Sequence, residues 1–217
     1  MDIHREYWQF LKIRQSAPRD IRLIHAYDVP DRYIRSGTFR VLMQLLKKNH
    51  ALLDIGAGDK RLRDLLKAAG WLGSYFSMDV NADFQYDYAS IEQIDRQFDC
   101  ITLFEVIEHL DLEEGIRYLE SIFRLLKKGG VLLLSTPNAH HINKIWASDV
   151  THIRPWPHSD IWAVLQMIGF SSVDLYRVRL HSRMPSIQLR VKYVFQDFLC
   201  RLLGVDCADG IMAVAIK

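Results

Sequence analysis

The chain has 217 residues, 49% of them hydrophobic and 25% charged, with 28 basic and 26 acidic side chains and a formal charge of +2. This balance supports a full apolar core and excludes a disordered tail, a collagen-like repeat and a disulfide-stapled miniprotein. It also lacks the strong basic stripe of a nucleic-acid binder. No apolar run approaches the roughly 18 residues of a membrane-crossing helix. The charged start at Asp2, His4, Arg5 and Glu6 is unlike a secretory leader, so a cytoplasmic location is expected. Three cysteines, Cys100, Cys200 and Cys207, have no paired metal spacing and leave an odd thiol, which suits a reducing compartment.

Residues 1–37 are mixed, punctuated by Pro18 and Pro30, and read as a lid or substrate segment. Phe39, Leu42, Met43 and Leu46 then share one helical face. A short apolar strand at Ala51-Leu52-Leu53 runs into Asp54-Ile55-Gly56-Ala57-Gly58. Leu62, Leu65, Leu66 and Ala69 recur at helical spacing until Gly70. A second strand, Tyr75 to Met78, closes at Asp79, and a short strand is expected at Phe84–Tyr88. Cys100–Phe104 reads as a buried strand, followed by a helix with Ile116, Leu119, Phe123 and Leu126 inside. Gly129-Gly130 turns the chain into another buried strand, Val131–Leu134. Trp162, Leu165 and Ile168 mark a helix ending at Gly169, before a strand from Phe170 to Tyr176. An amphipathic helix around 187–203 and a strand from Ile211 to Ile216 complete the chain.

Apolar strands alternating with amphipathic helices imply an α/β fold, a doubly wound and mostly parallel sheet covered on both faces. We expect one domain over residues 1–217, with 138–160 and 181–209 as substrate-side insertions. Ligands bind at the carboxyl ends of the strands in such sheets, which directs attention to the loops after Leu53, Met78 and Phe104.

The Asp54–Gly58 turn lets backbone pass close beneath a ligand. Arg61 stands where a dinucleotide fingerprint wants its third glycine, and no Gly-Lys-Ser or Gly-Lys-Thr follows, so neither an NAD site nor a P-loop is indicated. Asp79 ends the next strand, where a carboxylate accepts both hydroxyls of a ribose. Together the two features fit a nucleoside without a pyrophosphate.

The run Leu52–Gly58 resembles the first motif of class I S-adenosylmethionine-dependent methyltransferases, and Asp79 resembles their ribose-binding acid. Phe98-Asp99-Cys100-Ile101 is similar to their strand-four motif, and Leu125–Gly130 to the turn before strand five. The resemblance implies a Rossmann-like seven-stranded sheet with an antiparallel last strand. It also implies S-adenosyl-L-methionine as cofactor. Asp54, Gly56, Ala57 and Gly58 would take the methionine portion, Asp79 the ribose, and Asp87 and Tyr88 the adenine, with Val80, Phe104 and Glu105 completing the site. This sequence departs from the family pattern twice. Lys60 stands at the usual third glycine, and the stretch from Asp79 to Asp87 is too short for the usual helix.

Glu105-Val106-Ile107-Glu108-His109 follows the fourth strand, and on a helix Glu105, Glu108 and His109 share one face. Such a face positions a proton acceptor or holds a divalent metal. We expect His109 to line the reaction site as base and His152, paired with Arg154, to orient the acceptor. His141 and His158 are further candidates in the same histidine-rich loop. A metal site made of Glu105, Glu108, His109 and His152 is the alternative. The pattern resembles ubiquinone-type O-methyltransferases and, more distantly, small-RNA 3′-terminal 2′-O-methyltransferases, in which an E-x-x-E-H and a later histidine hold a metal. Related sequences modify sugars and lipids. The reading is methyl transfer to an oxygen or nitrogen of a small-molecule, sugar or lipid-like acceptor. RNA 3′-end methylation and a non-catalytic cofactor-binding module are the alternatives. In the 187–203 helix, Val191, Val194, Phe195, Phe198, Leu199 and Leu202 form one apolar face, expected to pack on its own domain. A homodimer or a peripheral membrane contact is the alternative for that face.

Overall fold

The computed structural model describes residues 1–25, 36–81, 83–179 and 187–217. Its strands are β1 (Arg22–His25), β2 (Ala51–Ile55), β3 (Ser74–Met78), β4 (Phe98–Phe104), β5 (Leu126–Pro137), β6 (Ser172–Arg179) and β7 (Gly210–Ile216). They form one seven-stranded sheet in the order β1-β6-β7-β5-β4-β2-β3. β3, β2, β4 and β5 run parallel, and β7 lies antiparallel between β5 and β6. The carboxyl ends of β2, β3, β4, β5 and β6 therefore open onto one edge of the sheet.

The buried strands are apolar along their whole length because both faces are covered. On one face Leu53, Ile101 and Leu132 pack with Ile116, Leu119 and Ile122 of α4 (Leu112–Leu125) and with Ile161, Val164 and Leu165 of α5 (His158–Ile168). On the other, Leu52, Cys100 and Leu133 meet Phe39 and Leu42 of α2 (Ser36–Leu45) and Leu62 and Leu66 of α3 (Arg61–Ala68). The switch of face between adjacent residues is the two-residue period of a strand. α4 starts on Asp111, whose side chain accepts from the Glu114 N–H at 2.8 Å and so satisfies an orphan donor. α1 (Tyr7–Gln15) packs against α5, tied by an Arg14–Asp160 ion pair.

Several expectations change. The stretch at Phe84–Tyr88 is a turn, not a strand, and pairs only through a Met78–Tyr88 bridge. The seventh strand is β1, inside the N-terminal segment read as a lid, where it adds to the β6 edge in parallel. Its four residues offer too short a pattern to stand out in the sequence. Cys200 and Cys207 pair as a disulfide with Cα atoms 6.7 Å apart, leaving Cys100 as the odd thiol, buried in β4. α6 (Ile187–Leu203) forms as expected, but Val191, Val194, Phe195, Phe198 and Leu202 are all at least 59% exposed, so its apolar stripe faces outward. Among the described residues, no helix is long and apolar enough to cross a membrane.

Candidate active site at the strand ends

Below the opening, β2 delivers its chain into a turn of alternating left-handed residues: Gly56 at φ +75°, Gly58 at φ +48° and Lys60 at φ +59°. Gly56 is fixed twice over. Its dihedral disfavours a side chain, and an added Cβ would lie 2.2 Å from Cγ2 of Val106. Gly58 needs its dihedral only, since nothing lies within 4 Å of the position a Cβ would take. Lys60, which departs from the glycine pattern, nevertheless takes the glycine conformation. A non-glycine residue there costs about 1–2 kcal/mol. The Lys60 side chain offsets part of this, donating from Nζ to the Gln85 carbonyl and lying 5.3 Å from the Tyr86 ring centre.

The turn is sewn to the end of β3. Gly56 and Ala57 N–H both donate to the Met78 carbonyl, at 2.9 and 3.2 Å. Gly58 N–H donates to Asp79 Oδ2 at 2.8 Å, and the Tyr86 hydroxyl donates to the Gly58 carbonyl at 2.8 Å. Asp79 Oδ1 accepts from the Asn81 N–H at 2.9 Å. Each carboxylate oxygen has room for a second donor, so Asp79 is held in place with acceptor capacity left for two hydroxyls. Val80 beside it is 78% exposed, an apolar surface next to the acid.

The other acids play different parts. Asp54 is buried, and its carboxylate accepts from the Tyr75 hydroxyl and the Thr102 hydroxyl, both at 2.7 Å. It thus ties β2 to its neighbours β3 and β4 under the turn, facing the interior. Burial pushes its pKa up to about 6, against the pull of those two hydroxyls. Tyr75 is pushed upward as well, by burial first and then by the Asp54 charge. Asp87 Oδ2 accepts from the Ser77 N–H and hydroxyl at 2.8 and 2.7 Å, clasping the 79–88 loop against β3. Tyr88 is half-buried at the Met78 bridge, and Phe104 is half-buried at the end of β4.

After β4, Glu105 takes φ +54°, another left-handed position without glycine. Strain of this kind is retained where surrounding contacts enforce it. Here Glu105 N–H donates to the Ser135 carbonyl at 2.9 Å, and the Ser135 hydroxyl donates to Glu105 Oε1 at 2.7 Å. The 105–109 stretch is no α-helix. Glu105 is a kink, and Ile107–His109 is a single 3₁₀ turn. The shared helical face expected for Glu105, Glu108 and His109 therefore does not form, and Glu105 turns to β5.

Three of the four residues of the alternative metal set, without Glu105, do come together. The ligand-capable atoms of Glu108, His109 and His152 lie within 4.8 Å of one another. Glu108 is buried, with Oε2 accepting from the Thr136 hydroxyl at 3.0 Å and Oε1 4.0 Å from His152 Nε2. The His109 and His152 rings meet edge to face at 4.9 Å. His109 Nδ1 lies 3.1 Å from the Thr151 carbonyl, and His152 Nδ1 lies 2.5 Å from the Trp146 carbonyl. Carbonyls only accept, so both Nδ1 atoms carry the proton and both Nε2 lone pairs are directed elsewhere.

The 138–160 segment is anchored on both sides of this group. Ile153 and Arg154 N–H donate to the Glu108 carbonyl at 2.8 and 3.3 Å. Buried Trp156 donates from Nε1 to the Ile107 carbonyl at 2.9 Å, and Arg154 stacks over its ring at 4.8 Å. His141 and His158 are not part of the group. His141 Nδ1 accepts from the Asn143 N–H at 3.1 Å, a local turn contact. His158 sits against His140 at 5.5 Å, with its pKa lowered by burial and by that second histidine. Sequence reasoning missed the roles of Thr136, Trp156, Tyr86 and Lys60. Lys60 alone left a signal, as the residue standing at a glycine position.

A family profile described as a methyltransferase domain matches residues 26–175. Among curated proteins, the chain is 29% identical over 107 residues to the mitochondrial ubiquinone biosynthesis O-methyltransferase of Saccharomyces cerevisiae, covering 41% of this chain and 34% of that protein. The chain thus spans about a third of the length of the curated relatives it matches. A solved S-adenosylmethionine-dependent methyltransferase from Archaeoglobus fulgidus superposes with a TM-score of 0.67 at 19% identity, over 86% of this chain and 95% of that one. Phosphoethanolamine N-methyltransferase 2 of Haemonchus contortus, solved with S-adenosyl-L-methionine, gives 0.57 at 15% identity, over 83% and 52%. At these identities the structural likeness concerns the fold.

Proposed function

The chain belongs to the methyltransferase-domain family, and on that premise we propose that it moves a methyl group from S-adenosylmethionine to an oxygen or nitrogen of a small-molecule, sugar or lipid-like acceptor. One observation carries the reading. The nucleoside-type turn at Gly56–Gly58 and the Glu108, His109 and His152 group share the strand-end edge, and Val106 is packed onto Gly56 between them.

S-adenosylmethionine, when bound, supplies an electrophilic methyl on a positively charged sulfur. Asp79 would receive the ribose hydroxyls, the Gly56–Gly58 backbone the methionine portion, and Val80, Asp87 and Tyr88 the adenine. Open space at Gly58 and the remaining acceptor capacity of Asp79 fit that assignment. Asp54 acts beneath them by holding the strand ends in register. On the acceptor side, Nε2 of His109 takes the proton from the acceptor as the new bond forms. The Glu108 carboxylate favours the resulting imidazolium, and His152 orients the acceptor. Most of the acceleration comes from holding nucleophile and methyl in line. Residues 138–160 and the described part of the second insertion, 187–209, cover the acceptor; 181–186 lie outside the described residues.

A second reading is favoured by the convergence of one carboxylate and two imidazoles. Glu108, His109 and His152 would then hold a divalent cation that lowers the pKa of an acceptor hydroxyl. The carbonyls on both Nδ1 atoms are the supporting partners that metal-binding histidines commonly have.

The test is mass spectrometry of products after incubating the protein and labelled S-adenosylmethionine with a metabolite extract. A labelled hydroxyl or amine product is expected. Absence of any transfer, with S-adenosylhomocysteine binding intact, would point to a non-catalytic binding module. Chelation separates the two readings of the histidine group. Under the base reading, a chelator leaves turnover unchanged, while His109→Ala lowers it by about 10²–10⁴-fold without weakening S-adenosylhomocysteine. Loss of turnover on chelation, restored by magnesium or manganese, selects the metal reading.

A further inference from the structure

We propose that α6 is a membrane-surface helix that docks this protein onto anionic lipid bilayers at the edge where the candidate active site opens. With about 100° of rotation per residue, Val191, Val194, Phe195, Phe198 and Leu202 fall within one stripe of α6. They are 64%, 70%, 60%, 59% and 69% exposed. A row of large apolar side chains left in water on one helix face is uncommon in a soluble domain.

The opposite face is fixed to the body. Asp197 pairs with the buried Arg179 at 2.7 Å, the Arg179 guanidinium lies 5.6 Å from the Tyr193 ring centre, and Cys200 is buried. Rotating the helix to hide its stripe would break that pair and strand a buried guanidinium. The stripe is thus held outward.

Charge selects the occupant. The α6 sequence carries three basic residues, Arg190, Lys192 and Arg201, and by the helical repeat the exposed Arg201 falls along one edge of the stripe. The helix's sole acid, Asp197, is committed to Arg179. An exposed apolar stripe on a helix of net positive charge is the pattern of a helix lying in the headgroup plane of an anionic bilayer. A second copy would instead bring like charges together.

Location gives the contact its consequence. β6 runs with β5, and Asp197 of α6 pairs with Arg179, the last residue of β6, so α6 lies at the strand-end edge. Its return to β7 is pinned to the acceptor-side segment, where Asn138 Nδ2 donates to the Ala208 carbonyl and Ile142 N–H to the Asp206 carbonyl, both at 2.9 Å. Docking through α6 would therefore bring the opening to the lipid surface.

The experiment is sedimentation of the full chain with vesicles of phosphatidylcholine alone and of phosphatidylcholine with about a third phosphatidylglycerol. Binding to the anionic vesicles, weakening as salt rises, is expected. Phe195→Glu with Phe198→Glu should lower it by tenfold or more, with unchanged circular dichroism, since both side chains are exposed. Arg201→Glu should lower it by about fivefold or more. No binding by the parent protein, equal binding to neutral vesicles, or undiminished binding by the double variant would overturn the proposal. So would a concentration-dependent dimer that the double variant abolishes, which would give the stripe to a second copy.

Discussion

The two halves of the strand-end edge are built by different means. The nucleoside half, between β2 and the turn at Tyr88, is held largely by the backbone. The glycine turn, the Met78 carbonyl and the Asp79 carboxylate are linked by main-chain donors over a span of some thirty residues. The acceptor half is a side-chain assembly from distant segments. Glu108 leans on Thr136, both histidines lean on carbonyls between Trp146 and Thr151, and Trp156 reaches back to Ile107. A backbone cradle tolerates side-chain change but depends on special dihedrals. A side-chain assembly tolerates dihedral variation but depends on each member.

The largest effect that would test this contrast is expected at Gly56. Gly56→Val puts a branched side chain on a left-handed dihedral and into Val106. Strain and overlap together should cost roughly 3 kcal/mol or more of stability and abolish S-adenosylhomocysteine binding. Urea unfolding and calorimetry measure both. Adding Val106→Ala should recover the overlap part only. Full recovery would show that the dihedral is not what the turn depends on.

Asp54 tests whether the tie beneath the cradle carries charge. Its folded pKa of about 6 stands above the ordinary 3.8. Between those values the folded chain holds a proton that the unfolded chain has lost, so stability from this group falls as pH rises. The loss is complete above about pH 6 and amounts to roughly 3 kcal/mol. Asp54→Asn should remove that decline. Urea titrations of parent and variant at several pH values, taken as a difference, isolate it from the other carboxylates. Parallel profiles would assign Asp54 an ordinary pKa.

At Asp79 the cradle's ribose-facing carboxylate is in question. Asp79→Ala should weaken S-adenosylhomocysteine by about fiftyfold, because two hydroxyls lose a charged acceptor and Gly58 N–H loses its partner. Unchanged affinity by calorimetry would leave the half purely backbone-built. The smallest effect concerns Lys60. Lys60→Gly should gain up to about 1 kcal/mol by relieving the left-handed strain, while Lys60→Ala, keeping the strain and losing the Gln85 and Tyr86 contacts, should lose a similar amount. Urea-midpoint shifts of opposite sign are the expected outcome. Equal shifts would show that the left-handed dihedral carries no strain, and an unshifted Lys60→Ala that the side-chain contacts carry nothing.

The contrast also explains what could be read before folding. Gly56, Gly58 and Asp79 were legible because a local backbone conformation needs particular residues at fixed offsets. Asp54 was legible as part of the motif, but not its inward orientation, which depends on Tyr75 and Thr102 arriving from neighbouring strands. Glu105 looked equivalent to Glu108 on a helical count. A single left-handed residue at the strand end broke that count and sent Glu105 to Ser135. The α6 stripe was visible as a pattern. Its outward direction followed only from the Arg179–Asp197 pair on the other face.

By itself, then, the sequence determined the alternation of strands and helices, the doubly wound sheet and the glycine turn after β2, because hydrophobic period and glycine dihedrals act over neighbouring residues. Tertiary structure alone decided that β1 completes the sheet, that Glu105 is turned away from Glu108, His109 and His152, and that the apolar face of α6 meets solvent. Each of those outcomes is set by contacts between residues far apart in the chain, where no local spacing records which partner packing will bring.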